Sequence, residues 1–286
     1  MAWQLTEDPE TFLATAGSFL RARAAQNTIM LGAIETLQAS GKAAFGDEPP
    51  LFGWRAEPGG HIGAAFMHTP PYPVVLTDMT GAAGTELAAE LAGRARRIPG
   101  VNAAARVGSA FAAAWQERTG QAAHTGMRMR LYALEALVPP DPPPPGRART
   151  ASAADAGLML AWVNAFHDEA GPEGPNEAER VVRDSLGYGG MVLWEHEDRP
   201  VSLAGRRRAV AGQARIGPVY TPPELRGRGF GGAATAAVTQ AALDDGAEDV
   251  VLYTDLANPT SNTLYQRLGY RPVSDWAVLR FASPES

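Results

Sequence analysis

The stretch Ile216-Gly217-Pro218-Val219-Tyr220-Thr221-Pro222-Pro223-Glu224-Leu225-Arg226-Gly227-Arg228-Gly229-Phe230-Gly231-Gly232 reads as the end of a strand, a proline-bearing turn, a glycine-rich loop with two arginines, and the start of an alanine-rich helix reaching Asp245. Glycine has no Cβ, so the amides of such a loop can turn inward and approach an anion closely. The following helix adds unpaired N–H groups and the positive end of its dipole. Strand, loop and helix in this order form a cradle for a pyrophosphate.

Gly227, Gly229 and Gly232 satisfy the dinucleotide pattern G-x-G-x-x-G, and Glu248 and Asp249 stand where a ribose-binding acid would be expected. A nicotinamide oxidoreductase is therefore one reading. Against it, Thr221–Arg226, with two prolines, separates the strand from the first glycine, and too little chain follows for further β-α-β units.

Downstream lies Tyr253-Thr254-Asp255-Leu256-Ala257-Asn258-Pro259-Thr260-Ser261-Asn262-Thr263-Leu264-Tyr265-Gln266-Arg267-Leu268-Gly269-Tyr270. It reads as a strand end, an Asn-Pro helix start and a short helix stopped by Gly269 in the left-handed C-terminal position. Arg226, Gly229 and Gly231 occupy a Q/R-x-x-G-x-G/A pattern that resembles motif A of the GCN5-related N-acetyltransferase (GNAT) superfamily. The second stretch resembles that family's motif B. Two motifs in order make the resemblance strong over Val210–Phe281, and it extends over Arg147–Phe281.

The resemblance implies an α/β (α+β) fold with a mixed, mostly antiparallel central sheet flanked by helices. It further implies a GNAT-like C-terminal domain, with the N-terminal half a smaller or degenerate copy. Acetyl-CoA would be the co-substrate, its pyrophosphate on Arg226, Gly227, Arg228, Gly229, Phe230, Gly231 and Gly232, and its pantetheine arm along Val219, Tyr220 and Thr221. The strand Val250–Thr254 would splay from that strand to admit the thioester. A primary amine would attack directly, the oxyanion would meet a backbone amide near Val219, and Tyr265 would protonate or hydrogen-bond the leaving sulfur. Asn258 and Asn262 would contact the coenzyme. Glu195 is the carboxylate placed best for a general base, ahead of Asp255, Glu169 and His167, with an ordered water as the other route. A non-catalytic acyl-CoA-binding regulatory module is the alternative outside enzymology.

Outward from these motifs, 286 residues favour two domains. The proline run Pro139–Gly146 marks the expected linker, between an N-terminal α/β domain over 1–138 and the acetyltransferase domain over 147–286. Apolar residues at helical spacing predict helices over Glu10–Leu20, Thr28–Gln38, Thr85–Ala95 and Val107–Arg118. Short apolar runs predict strands at Leu51–Trp54, Ile62–His68, Val74–Thr77 and Met127–Leu134. In the second half, helices are expected over Ser152–Phe166 and Asn176–Leu186, and a hairpin from Met191–Glu195 and Val201–Arg206. A strand over Val210–Tyr220 and two final strands, Arg271–Val273 and Trp276–Phe281, complete the expected sheet. A faint internal echo joins Trp115–Gly120 and its strand to Tyr265–Gly269 and its strand.

Composition narrows the rest. With 25 basic against 31 acidic residues the net charge is −6, which argues against nucleic-acid binding. No apolar run has the ~20 residues that cross a bilayer, so no membrane partner is expected. The absence of cysteine removes disulfides and thiolate metal sites, and with the N-terminus lacking a leader pattern it points to the cytoplasm. Lys42 is the only lysine, which excludes a Walker A lysine or a Schiff base beyond it. His61, His68 and His124 lack metal-ligand spacing, so no metal is expected. The partners that the resemblance implies are acetyl-CoA and an amine acceptor, with a monomer or homodimer expected.

Overall fold

The computed structural model describes residues 2–94, 96–171 and 177–282. From the N-terminus run β1 (Gln4–Thr6), α1 (Pro9–Arg21), α2 (Thr28–Ser40), β2 (Leu51–Ala56), β3 (Ile62–His68), β4 (Val74–Leu76), α3 (Gly81–Ala92), β5 (Gly100–Ala104), α4 (Ala105–Thr119) and β6 (Ala123–Leu134). Then follow β7 (Arg147–Thr150), α5 (Ala156–Ala170), α6 (Ala178–Leu186), β8 (Met191–His196), β9 (Arg199–Arg206), β10 (Gln213–Tyr220), α7 (Phe230–Asp244), β11 (Asp249–Asp255), α8 (Pro259–Arg267) and β12 (Tyr270–Phe281). The second series repeats the first element for element. The faint echo in the sequence is thus the trace of a complete structural repeat.

Two compact units result, Met1–Arg130 with Ser274–Ser286, and Leu131–Val273. The division falls inside β6, and not at the proline run where composition suggested a linker. The last strand also departs from the expected 147–286 domain. Trp276–Arg280 of β12 pair antiparallel with Ala104–Gly100 of β5, which places the end of the chain in the first unit. Gly100 is required by that pairing, because a Cβ there would lie 2.2 Å from the Leu279 carbonyl oxygen.

In the first unit β1, β2, β3 and β4 pair antiparallel in turn, and β4 pairs parallel with β5 through Val74↔Val101. Helices α3 and α4 bury Leu87, Leu91, Val107 and Phe111 against Phe66 and Val101 of the sheet, and Phe281 stacks on Trp115. Between β4 and α3 the chain uses Thr77–Thr80, where Thr80 caps the helix through Ala83 N at 3.2 Å. The first unit therefore has the fold without a glycine loop.

In the second unit β7, β8, β9 and β10 are successively antiparallel, and β10 is parallel to β11. Ala214, Ile216, Val250 and Leu252 face α7 and α8, while Met191, Leu193 and Leu203 face α5 and α6. The alternation follows from successive side chains of a strand pointing to opposite faces.

Most expected elements are present with shifted ends. The strands β1 and β5 were not predicted, because three residues and a Gly-Val-Asn-Ala-Ala run carry almost no periodic signal. Helix α3 starts at Gly81, ahead of the apolar pattern, because Thr80 supplies its cap. The two expected final strands are one continuous strand. The ends expected at Ala95 and Asn176 lie outside the described residues.

Candidate active site

Strands β10 and β11 pair from Gln213↔Asp249 to Ile216↔Leu252 and no further. Beyond that pair Gly217 and Pro218 form a bulge against β9, where the register shifts between Ile216 and Val219. Proline has no amide to donate, and Gly217 takes φ +143°, a region that favours glycine. Gly205 on β9 makes room for the bulge, since a Cβ there would meet the Gly217 oxygen at 3.1 Å and Pro218 Cδ at 3.2 Å. The result is a fork between parallel strands, opening toward their carboxyl ends. A Gly-Pro pair inside a strand is the sequence signal for this bulge.

The glycine loop follows the fork directly. Gly227 (φ +74°) and Gly229 (φ +82°) are left-handed, and Gly229 is the residue before α7. Among the described residues, no group of the protein accepts from the amides of Gly227 through Gly232. These six amides, with the positive end of α7, are the donors an anion would meet. Phe230 is 1% exposed, and burying its ring contributes about 1.5–3 kcal/mol toward holding the loop where it is. Arg228 leans over the Phe230 ring at 4.8 Å and has no acidic partner among the described residues.

Arg226 differs from its expected role. Its amide donates to the Pro223 oxygen (3.3 Å), its Nε to the Thr221 oxygen (2.9 Å), and its terminal nitrogen to both carboxylate oxygens of Glu169 (2.7 Å each). Its Nε and one terminal nitrogen are occupied, so Arg226 braces the loop, and Glu169 is bonded to it. Tyr220 turns its ring toward Trp162 (6.1 Å). Thr221 Oγ1 bonds Ser202 Oγ (2.9 Å) and lies 3.1 Å from where a Gly231 Cβ would stand. The proline run packs on the same loop: Pro144 faces Gly229 at 3.5 Å and Pro140 faces Gly232 at 3.9 Å, measured to a hypothetical Cβ. Trp194 Nε1 fastens that run by donating to the Pro145 oxygen at 3.1 Å.

Helix α8 brings Tyr265 beside the fork. It shares one core cluster with Ile216, Val219, Leu252 and Leu264, and Leu264 Cδ1 comes within 2.9 Å of a Gly232 Cβ position. The Tyr265 hydroxyl has no hydrogen-bond partner among the described residues. Burial pushes its pKa up to about 12. The two asparagines are structural here. Asn258 caps α8 by accepting from Ser261 N (3.0 Å). Asn262 donates to the Asp255 and Asn258 oxygens (2.8 and 2.7 Å) and accepts from the Tyr132 hydroxyl (2.9 Å), which engages both of its amide donors. Asp255 is itself engaged by Ala257 N at 2.8 Å.

Glu195 is held by two arginines. Its carboxylate accepts from Arg149 Nε at 2.6 Å and lies 3.5 Å from Arg147, while Arg149 holds Asp155 through two further bonds of 2.7 and 2.8 Å. The Arg149 hydrogen bond lowers the Glu195 pKa, and the same guanidinium lowers that of Asp155. A general base near neutrality needs the opposite shift, so Glu195 ties β7 and β8 together and is a weak proton acceptor. His167 is likewise lowered, by burial and by the charge of Arg207.

The tie predicts an acid limb. Carboxylates whose folded pKa is depressed contribute stability that is present above their unfolded pKa and lost as pH falls through it toward the folded value. Thermal melts from pH 7 to pH 3 should show Tm falling below about pH 4.5. Asp155→Asn should start lower at pH 7 and fall less; parallel curves would remove this network from the acid response.

Only one pair of the second unit's registered strands, β10 and β11, is parallel, which is not the sheet of a dinucleotide-binding unit. Among the described residues no helix is long and apolar enough to cross a membrane. Residues 195–279 match the family model described as FR47-like protein. None of the curated protein sequences matches the chain. A GCN5-related N-acetyltransferase structure from Sphaerobacter thermophilus is similar over 99% of this chain and 96% of its own, with 19% identity and a TM-score of 0.61. A Drosophila protein is similar over 98% of each chain, with 14% identity and a TM-score of 0.69. A tandem GNAT protein from the clavulanic acid biosynthesis pathway is similar over 100% of both chains, with 13% identity and a TM-score of 0.54. Residues 195–279 are thus similar to the FR47-like family, and the chain as a whole has the fold of these N-acetyltransferase structures, repeated in two units.

Proposed function

We propose that the chain is an acetyl-CoA-dependent N-acetyltransferase whose second unit carries the chemistry. The observation that supports this most is the row of unengaged amides at Gly227–Gly232, set beside a strand fork with a protonated phenol at its edge. Acetyl-CoA, when bound, would supply the activated acyl carbon. The loop amides and Arg228 bind its pyrophosphate, and the open edge of β10 beyond Ile216 receives the arm as an added strand.

The amine nitrogen forms its bond to the thioester carbon in the fork, the C–S bond breaks, and the amine sheds a proton to solvent. Tyr265 stays neutral throughout. Full proton transfer from a phenol near 12 to a thiolate of the ordinary ~8.5 range would run uphill. The hydroxyl therefore donates a hydrogen bond to the sulfur as its charge grows, and is not the proton source. A water, and not Glu195, relays the amine proton.

The test is a panel of primary amines with acetyl-CoA, following released thiol with a chromogenic thiol reagent. The protein contributes no background, since it contains no cysteine. Acetyl-CoA binding with turnover supports the proposal. Binding without turnover across the panel points to an acyl-CoA-binding module, and no binding overturns the cradle.

A further inference from the structure

On β10, Ala214 and Ile216 enter the core beneath α7 and α8, so Arg215 between them points to the other face, toward α5 and α6. Arg207, just past the end of β9, lies alongside: its amide donates to the Arg215 oxygen at 2.8 Å. Tyr253 of β11 shares the face, two residues on from Val251, the register partner of Arg215. Both arginines are only partly exposed. Neither has an acidic partner or any hydrogen-bond acceptor for its side chain among the described residues. The neighbouring carboxylates Glu177 and Asp184 compensate them only in part, from a distance. Glu177 is bonded to Arg180, Arg180 also faces Asp184 at 3.7 Å, and the His167 pKa is lowered by burial and by the charge of Arg207. Burial and the charge of Arg207 pull the Arg215 pKa down to about 10, so that guanidinium remains charged near neutrality, and burial lowers the Arg207 pKa as well.

Two guanidiniums drawn partly out of water with no bonded counter-ion among the described residues are costly to keep unless an anion completes the site. Their place adds the second half of the inference. Arg215 sits one residue before the last paired residue of β10, Ile216, and Tyr253 one residue beyond its partner Leu252, so Arg215 and Tyr253 stand at the root of the fork. Tyr265 lies with Ile216 and Leu252 in the cluster on the opposite face. We propose that Arg207 and Arg215 form an oxyanion-binding subsite for the acceptor, so that the favoured substrate is a primary amine carrying a carboxylate or phosphate. The inference rests on the acetyltransferase reading for the identity of the site, but not for the presence of the anion. Paired guanidiniums suit either group, because each presents a planar fork to two oxygens.

Matched pairs test it: amino acids against their carboxamides, and aminoalkyl phosphates against the corresponding amino alcohols, each by thiol release. The anionic member should have the higher kcat/KM by roughly tenfold to a hundredfold, the range of one or two charge-assisted hydrogen bonds. Which pair shows the gap distinguishes carboxylate from phosphate. Arg215→Gln should erase that gap through KM while acetyl-CoA affinity stays as in wild type, and Arg215→Lys should restore part of it. If Arg215→Gln does not fold, Arg207→Gln carries the same test. Equal turnover within both pairs overturns the subsite. If no amine is acetylated, the acetyltransferase reading fails separately, and the anion is read alone. Arginine Nε–H NMR signals of Arg207 and Arg215, assigned with the two variants, should shift on titration with succinate or inorganic phosphate; signals that neither anion moves at millimolar concentration overturn the proposal.

Discussion

A Gly231→Asp protein is expected to fold normally and to lose acetyl-CoA affinity at least a hundredfold. Gly231 is the second residue of α7, and an aspartate in the first turn of a helix is favourable for the helix itself. Its Cβ would stand 3.1 Å from Thr221 Oγ1, a contact that a hydroxyl rotation and a small shift relieve. The carboxylate, however, would occupy the space in front of the amides of Gly229–Gly232 and meet the pyrophosphate as a like charge. At ~4 Å and an effective dielectric of about 20, one such repulsion costs roughly 4 kcal/mol, beyond the hydrogen bonds lost. Calorimetric titration with acetyl-CoA checks this, with a thermal melt as the folding control. Wild-type affinity in a folded variant would remove the loop from coenzyme binding. Gly229→Asp is a poorer test, because φ +82° strains any side chain there and mixes folding with binding.

Tyr265→Phe should lower kcat by roughly ten- to a hundredfold, at the low end of proton-related catalysis, while KM for acetyl-CoA changes little. The ring keeps its packing, including the edge contact with Tyr270 at 6.2 Å, and the hydroxyl has no internal partner among the described residues to lose. Stability should therefore be unchanged or slightly raised. The lost bond forms as negative charge grows on sulfur, so the deficit belongs to the transition state and not to ground-state binding. Because the Tyr265 pKa is near 12, the wild-type pH profile should show no limb from this residue between pH 7 and 10. Steady-state kinetics with a working acceptor, under conditions where chemistry limits the rate, decide the matter. A variant with wild-type kcat would reduce Tyr265 to a packing residue.

The glycine loop and helix ends of the second unit were legible in the sequence because they are local. Gly227, Gly229, Gly231 and Gly232 sit within six residues, and the backbone freedom they provide is a property of the residues themselves. Asn258-Pro259 and Gly269 bracket α8 for the same reason, as cap and stop. Even the strand bulge is written locally, in Gly217-Pro218. Where side chains had choices of partner, sequence position was a poor guide. Glu195, Asn262 and Arg226 stand where a ligand-facing role was expected, yet each is engaged within the protein, by Arg149, by Tyr132 with Asp255, and by Glu169. Those partners lie 46, 130, 7 and 57 residues away.

The division of the chain was decided at longer range still. A proline run looks like a linker because proline cannot join a ladder, but it also presents a rigid apolar edge, and here Pro140 and Pro144 spend it on the glycine loop. The closing strand β12 returns to β5 because Gly100 lets the Leu279 carbonyl approach. Residues close along the chain determined loop, cap and bulge, since backbone freedom acts over a few bonds. Membership of the units and the counter-ions of Glu195, Asp155 and Glu169 were decided only by folding, because pairing energy depends on distance in space.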